Sequence, residues 1–153
     1  MSSEQEDDLG KLLGQVLGVV LEREGPILEA HGLTMWEYVI LLQLLGERGL
    51  TQKELARRSH RDPTRLIGHL DALGARGLIA REVDAEDRRR HTVRLTEEGE
   101  EVVRGTQRDI RAMEEDLLSV LPSSEQQMLR SALSAVLQSS SPPRTSSGVP
   151  DPN

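Results

Sequence analysis

A mainly α-helical fold carrying one small β-hairpin is predicted by three features of the sequence. Helix-start signals recur along it, at Thr34-Met35-Trp36-Glu37, Thr51-Gln52-Lys53-Glu54, Asp62-Pro63, Thr96 and Ser123 with Gln126. Only two segments, Leu78 to Val83 and His91 to Leu95, read as strands. The chain also holds no Phe, one Trp and one Tyr. Its core must therefore be built from Leu, Val, Ile and Ala, which suits packed helices better than a β-sandwich.

At 153 residues, one domain with a sizeable core is expected. The absence of cysteine excludes disulfides, thiol redox sensing and Cys-ligated zinc. His31, His60, His69 and His91 show no i,i+4 pairing, so neither a metal nor a cofactor is expected. No apolar run reaches the roughly 18 residues of a transmembrane helix. The opening MSSEQEDDLG is acidic where a signal peptide would be basic. A soluble cytoplasmic protein without a membrane partner is the expectation.

Residues 1–8 are polar and are expected to be flexible. Leu9, Leu12, Leu13, Val16, Leu17 and Val20 then form a helical stripe. Gly14 and Gly18 weaken that helix by about 1 kcal/mol each relative to Ala. Either close approach of another helix or simple tolerance at a surface explains them. Gly25-Pro26 is expected to kink or break the helix, with one more turn to His31 and Gly32 as the stop. Residues 9–33 are read as an N-terminal dimerisation element.

The next helix spans Met35 to about Leu45 and ends at Gly46, with Trp36, Val39, Ile40, Leu42 and Leu45 along it. A short helix follows from Thr51 to about Ser59, with Leu55 and Ala56 inward. Asp62 as N-cap and Pro63 at the first helical position open another, which runs to about Ala75. Leu66, Ile67, Leu70 and Leu73 are expected to face inward, and Gly77 to terminate it. After the two strands, Thr96 caps the longest helix, from Glu97 to about Leu121. Val103, Ile110, Met113, Leu117 and Leu121 form its one-sided seam, and Pro122 stops it. A capping box of Ser123 and Gln126 begins the last helix, with Leu129, Ala132, Leu133, Val136 and Leu137 on one face. Residues 34–95 are thus the reading region, 96–138 C-terminal dimerisation helices, and 139–153 a disordered tail.

The chemistry concentrates between Thr51 and Leu95. That window carries eleven Lys/Arg against seven Asp/Glu, a balance of about +4 inside a chain of net charge −7. A basic head on an acidic body is the electrostatic footprint of DNA binding. Two helices joined by a few residues form a helix-turn-helix, in which the first braces the second and the second enters the major groove. Facing away from the apolar positions are Thr64, Arg65, Gly68 and His69. Arg65 can fork to guanine, Thr64 can meet a phosphate or a thymine methyl, and Gly68 lets a groove wall come close. His69 can donate to a phosphate or a base edge. The turn between the helices lacks the usual glycine and has His60 there instead. The loop Asp84 to Asp87 followed by Arg88, Arg89 and Arg90 puts positive charge at a hairpin tip, which suits the narrow minor groove. Asp87 is placed to hold the Arg89 guanidinium in a bidentate pair. The candidate DNA-binding set also takes in Thr51 and Gln52 at the head of the bracing helix.

These residues resemble the MarR family of winged helix-turn-helix transcriptional regulators. The likeness rests on GLTMWEYVILLQL at 32–44, LTQKELARRSHRDPTRLIGHLDALGARGLIAREV at 50–83 and DRRRHTVRLTEEG at 87–99. It extends over about 9–138. The resemblance implies a homodimer built from N- and C-terminal helices, with one helix in the major groove and one wing in the minor groove of double-stranded DNA. It maps wing arginines onto Arg89 and, with Arg88 and Arg90, the hairpin tip, and reading-helix contacts onto Thr64, Arg65, Gly68 and His69 with Arg61 and Asp62 preceding them. It also implies a repressor whose DNA affinity falls when a small phenolic or anionic effector binds between the lobes. Near that junction His31, Trp36 and Tyr38 are the side chains with polar or aromatic handles.

Apolar stripes at both chain ends exceed what one small head must cover, which independently favours a dimer on a pseudo-palindromic operator over mutual intramolecular packing. The rival function is a winged helix used for protein contact rather than DNA. An enzyme is not expected: no phosphate loop, nucleophile constellation or paired catalytic carboxylate is present. Runs such as Glu97-Glu98 and Glu114-Glu115-Asp116 read as solvated helix faces.

Overall fold

The computed structural model describes residues 8–83, 87 and 89–140. Their element order is α1 (Leu9–Ala30), α2 (Met35–Leu44), β1 (Leu50–Thr51), α3 (Gln52–Arg58), α4 (Pro63–Ala75), β2 (Ile79–Val83), β3 (His91–Leu95), α5 (Glu97–Leu117), a 3-10 turn (Leu118–Val120) and α6 (Ser123–Ser140). The mainly helical class with a small hairpin is what the sequence predicts. The chain forms two compact units, one up to Glu114 and one from Glu115 onward. Residues 1–7 and 141–153, where a flexible start and a disordered tail are expected, lie outside the described residues, and α6 carries helix through 139 and 140, where the tail was expected to begin.

Helix α1 is continuous, with Pro26 inside it, so of the expected kink or break the break does not occur. Proline there removes a single amide donor, and the following turn is secured from both sides. Leu28 is buried, and the carbonyls of Leu28 and Glu29 accept from Leu33 (2.8 Å) and Gly32 (2.9 Å). Gly32 takes φ +65, the left-handed geometry of a Schellman cap. Among the described residues, a Cβ built on Gly14 or Gly18 would meet nothing within 4 Å beyond its chain neighbours and its own helix backbone.

Helix α2 opens with the full capping box: Glu37 N–H donates to Thr34 Oγ1 (3.3 Å), and Thr34 N–H to Glu37 Oε2 (2.8 Å). Its core-facing residues are Ile40, Leu41 and Leu44, all essentially buried. They meet Leu55 of α3, Leu66, Leu70 and Leu73 of α4, Val93 of β3 and Val103 of α5 in one cluster. Each such aliphatic side chain contributes about 1.5–3 kcal/mol through removal from water. Ile67 departs from the expected inward set at 47% exposed. Leu66, Leu70 and Leu73 already fill the one stripe that α4 turns to the core.

The sheet has the order β1-β3-β2, all antiparallel. Strand β1 was not foreseen, because two residues carry no readable alternation. It pairs Leu50 with Val93 and Thr51 with Thr92, tying the head of α3 to the hairpin. Gly77 (φ +72) closes α4 with a second Schellman motif, Leu78 N–H to Leu73 carbonyl at 3.0 Å, and turns the chain into β2.

Helix α5 begins at the Thr96 cap as expected, with Gly99 N–H on Thr96 Oγ1 at 3.0 Å. It ends at Leu117, four residues short of the expected limit, and tightens into the 3-10 turn before Pro122. In the first unit Val103 and Ile110 are buried and Met113 packs against the core. In the second, Leu117 and Leu121 are half-buried. The Ser123–Gln126 box is replaced by another arrangement. Pro122 carbonyl accepts from Gln126 N–H (3.1 Å), so the helical frame starts earlier, and the Gln126 amide reaches Leu121 carbonyl (3.0 Å).

Candidate nucleic-acid interface

Helix α3 is short and fixed at both ends. Thr51 Oγ1 accepts from Glu54 N–H (3.2 Å), but the Glu54 side chain does not return to complete a box. It takes Arg57 Nη2 (2.6 Å) and Arg58 Nε (2.7 Å) instead. Those bonds, Arg57 first, hold its carboxyl down at about 2. Arg58 also reaches Glu47 (2.7 Å), which ties α3 to the segment after α2. Thr51 and Gln52, both half-buried, thus stand at the junction of β1 and α3 beside β3.

The C-terminus of α3 uses His60 where a glycine is usual. His60 has φ 50, and its N–H donates to Arg57 carbonyl (3.3 Å) while Arg61 N–H donates to Ala56 carbonyl (3.0 Å). This is again the Schellman pattern, and it turns the chain toward α4 in a few residues. Asp62 then caps α4, accepting from Thr64 N–H (2.8 Å) and Arg65 N–H (3.3 Å). Those amide bonds, Thr64 first, lower its carboxyl below the usual range.

On α4, Thr64, Arg65, Ile67 and Gly68 are exposed and His69 is half-buried. Ile67 belongs to this exposed face, a candidate contact that sequence reasoning assigned to the core. The signal was available: Thr64, Ile67, Gly68 and Asp71 recur at helical spacing on one side. Asp71 pairs with Arg81 (2.7 Å) and links α4 to β2.

The hairpin strands are held by register and by Glu82 with Arg94 (2.6 Å). At its tip Asp87 is indeed an organiser, but of different groups from those expected. Its Oδ1 accepts from the Arg89 backbone N–H (3.0 Å), its carbonyl from Arg90 N–H (2.8 Å), and its Oδ2 lies 3.5 Å from Arg90 Nε. A carboxylate two residues ahead reaches a backbone amide more readily than a side chain, the Asx-turn preference. The Arg89 guanidinium is left exposed. Arg88, with Asp84, Ala85 and Glu86, lies outside the described residues.

Ion pairing sorts the basic residues of this head. Arg57, Arg58, Arg76, Arg81, Arg90 and Arg94 each have a carboxylate within 4.0 Å. Among the described residues Lys53, Arg61, Arg65 and Arg89 have none. Arg61 instead lies with its Cζ 3.4 Å from the centroid of the Trp36 ring. The net positive charge is therefore delivered by few side chains, at the heads of α3 and α4 and at the hairpin tip.

The other three singled-out residues line none of the cavities seen among the described residues. His31 Nε2 meets Asp109 Oδ2 at 2.7 Å, with Gly105 leaving room for the imidazole ring. Trp36 carries Arg61. Tyr38 is buried, and its phenol is pushed up by burial and then by Glu24 and Glu114. Burial and the Glu114 charge also raise Glu24. Glu24 lines an apolar cavity of about 430 Å³ with Leu21, Leu28, Glu29, Leu33 and Met35. Among the described residues no cluster of His, Cys, Asp or Glu could hold a metal, and no helix is long and apolar enough to cross a membrane.

A family model for the MarR family matches residues 31–90. The transcriptional regulator HosA of Escherichia coli is 31% identical over 100 residues, 65% of this chain and 74% of HosA. A MarR-family regulator from Rhodococcus sp. RHA1 superposes with a TM-score of 0.77 at 28% identity, over 88% of this chain and 96% of that one. The repressor CouR bound to a 23-mer DNA duplex gives a TM-score of 0.77 at 27% identity, over 88% and 96%. CouR from Rhodococcus jostii RHA1 bound to p-coumaroyl-CoA gives 0.75 at 29%, over 88% and 95%.

Proposed function

Since the chain belongs to the MarR family of transcriptional regulators, we propose that it acts as a homodimeric, sequence-specific DNA-binding repressor whose DNA affinity falls when a small effector binds. The observation that carries the DNA reading is the sorting of charge. Arg61, Arg65 and Arg89 keep unneutralised guanidinium groups at the helix-turn-helix and hairpin tip, while neighbouring arginines are cancelled by carboxylates. Arg65 on the exposed face of α4 reads a base edge, and Arg89 at the hairpin tip enters the minor groove. The relatives are regulators, and no catalytic role is proposed. A regulator that reads the genome works in the cytoplasm.

Two further observations support the dimer and the effector. Helix α1 exposes Leu9, Leu12, Leu13, Val16 and Leu17, and α6 exposes Met128, Leu133, Val136 and Leu137. Apolar faces of that length are what a second copy would cover. Two-fold symmetry then sets two heads on a pseudo-palindromic operator. CouR has been seen both on DNA and with p-coumaroyl-CoA, which supports ligand control in this chain. The cavity beside Glu24 is the candidate effector site, with Tyr38 its neighbour. Carboxylates of Glu24 and Glu29 favour a neutral phenol there over an anion.

Selection of bound sequences from a random duplex pool tests the reading. A palindromic consensus is expected, since it requires both base reading and two-fold symmetry. Enrichment of no sequence would overturn the proposal in favour of a protein-contact module.

A further inference from the structure

We propose that Trp36 is a positioning residue for DNA binding: its indole face holds the Arg61 guanidinium, uncancelled, as a clamp for a backbone phosphate. The inference rests on the DNA reading above and adds a device to it.

Six arginines of the head have a carboxylate within 4.0 Å that neutralises them, and in Arg57, Arg58, Arg81 and Arg94 it also takes up N–H donors. Arg61 is located differently. Its Cζ stands 3.4 Å from the Trp36 ring centroid, so the flat faces of the cation and the indole are in contact. A stack fixes a guanidinium through its face and leaves the in-plane donors and the full charge available. Among the described residues Lys53, Arg65 and Arg89 are uncancelled too, but no aromatic ring or carboxylate fixes them.

The backbone fixes Arg61 from both sides. Its N–H is bound to Ala56 carbonyl at 3.0 Å as the last bond of the α3 cap, and Asp62 begins the α4 cap immediately after. Trp36 arrives from α2, so three helices define the position of one cation. Its Nε is buried and has no hydrogen-bond acceptor. No internal acceptor therefore takes that donor, and the guanidinium is held by the indole face alone. The open end of α4 does not compete for an anion. Asp62 already satisfies the Thr64 and Arg65 amides and places a negative charge there. The anion acceptor in this corner of the head is Arg61. A backbone phosphate is the anionic group of DNA, and its two non-bridging oxygens can accept a guanidinium fork together.

A double-mutant cycle tests this, with affinities measured at several salt concentrations on the pool-selected duplex and on a random-sequence duplex. Arg61→Ala is expected to weaken both duplexes by similar factors and to lower the slope of log affinity against log salt by about 1. Trp36→Leu is expected to weaken both about tenfold while the slope stays near wild type, because the charge remains and only its placement is lost. Trp36→Phe should restore most of the loss. In the Arg61→Ala background Trp36→Leu should change affinity less than about twofold. Trp36 is the sole tryptophan, so its fluorescence reports the stack directly. Emission should shift between wild type and Arg61→Ala without DNA, and DNA should change the emission of wild type more than that of Arg61→Ala.

Equal losses from Trp36→Leu in both backgrounds, or wild-type affinity in Trp36→Leu, would overturn the inference while leaving the DNA reading intact. Failure of the wild type to bind either duplex would overturn both. Should Trp36→Leu not fold, Arg61→Lys asks the same question from the other side. It keeps the charge and loses the flat stack, so affinity should fall several-fold at an unchanged salt slope; wild-type affinity in that variant would refute the clamp.

Discussion

Gly99 lies so close beneath the Leu78 carbonyl that a β-carbon on it would collide with that backbone group. The same carbonyl accepts Thr96 N–H at 3.1 Å, and Thr96 Oγ1 both donates to Gly77 carbonyl (2.6 Å) and accepts Gly99 N–H (3.0 Å). Here α5 crosses the start of the hairpin, and the crossing is backbone against backbone. Alanine normally gains up to about 1 kcal/mol over glycine in a helix. At 99 the clash reverses the sign, because neither partner is a side chain that can turn away. Gly99→Ala is expected to cost about 3 kcal/mol, read as a lower urea midpoint. Gly74→Ala on α4, with nothing within 4 Å of its Cβ, should instead gain up to about 1 kcal/mol.

His60 occupies a glycine's place, with φ 50 at the end of α3. A left-handed L-residue costs roughly 1–2 kcal/mol, and glycine's extra freedom in the unfolded chain offsets roughly 0.5–1 kcal/mol of that. His60→Gly should therefore stabilise by about 0.5–1 kcal/mol and raise the melting temperature, with DNA affinity retained. A drop in melting temperature would mean that the imidazole contributes contacts beyond the turn.

Most of this architecture was legible in the sequence because its punctuation is local. The Thr34–Glu37 box, the Asp62-Pro63 start and the Gly32 and Gly77 stops act within a few residues, and each occurs where expected. What escaped depends on tertiary partners. Strand β1 exists only because Val93 and Thr92 stand opposite Leu50 and Thr51. Ile67 is exposed because α4 has one buried stripe and three leucines fill it. Charge pairing could not be read from composition either. Arg57 and Arg65 look alike in the sequence, and only the fold shows that Glu54 cancels the first. Trp36 drew attention as an aromatic handle, but nothing local announced that Arg61 would cover its face.

Glu54 gives that pairing a pH signature. Hydrogen bonds from Arg57 and then Arg58 depress its carboxyl to about 2 from the ordinary 4.5. A depressed folded-state pKa contributes stability that is present above the unfolded value and lost as pH falls through the folded one. Wild-type stability should therefore decline between about pH 4.5 and pH 2 by a small amount that Glu54→Gln abolishes, since both partners are solvent-screened. Urea midpoints of the two proteins measured down that range check it. Parallel curves would show that the pair contributes nothing to folding.

Under the proposed reading, which sets Arg65 on a base edge and Arg89 in the minor groove, the two should fail in different ways. Arg65 projects from the exposed face of α4, one residue beyond the Pro63-Thr64 start, with its backbone N–H held by Asp62 at 3.3 Å. Among the described residues no carboxylate lies within 4.0 Å of its guanidinium, and a guanidinium so placed can fork onto a guanine edge. Arg65→Ala should cost about 1–3 kcal/mol on the selected duplex and relax base preference at one position in each half-site. On random-sequence DNA the loss should be small. Arg89 sits in the turn that Asp87 organises, its N–H on Oδ1 at 3.0 Å and its side chain exposed. A cation on a hairpin tip senses phosphate and groove potential rather than base identity. Arg89→Ala should therefore weaken selected and random duplexes alike and reduce the salt slope by about 1. Titrations of both variants against both duplexes at two or more salt concentrations separate the roles. If each binds both duplexes as wild type does, neither the helix nor the hairpin is reading DNA.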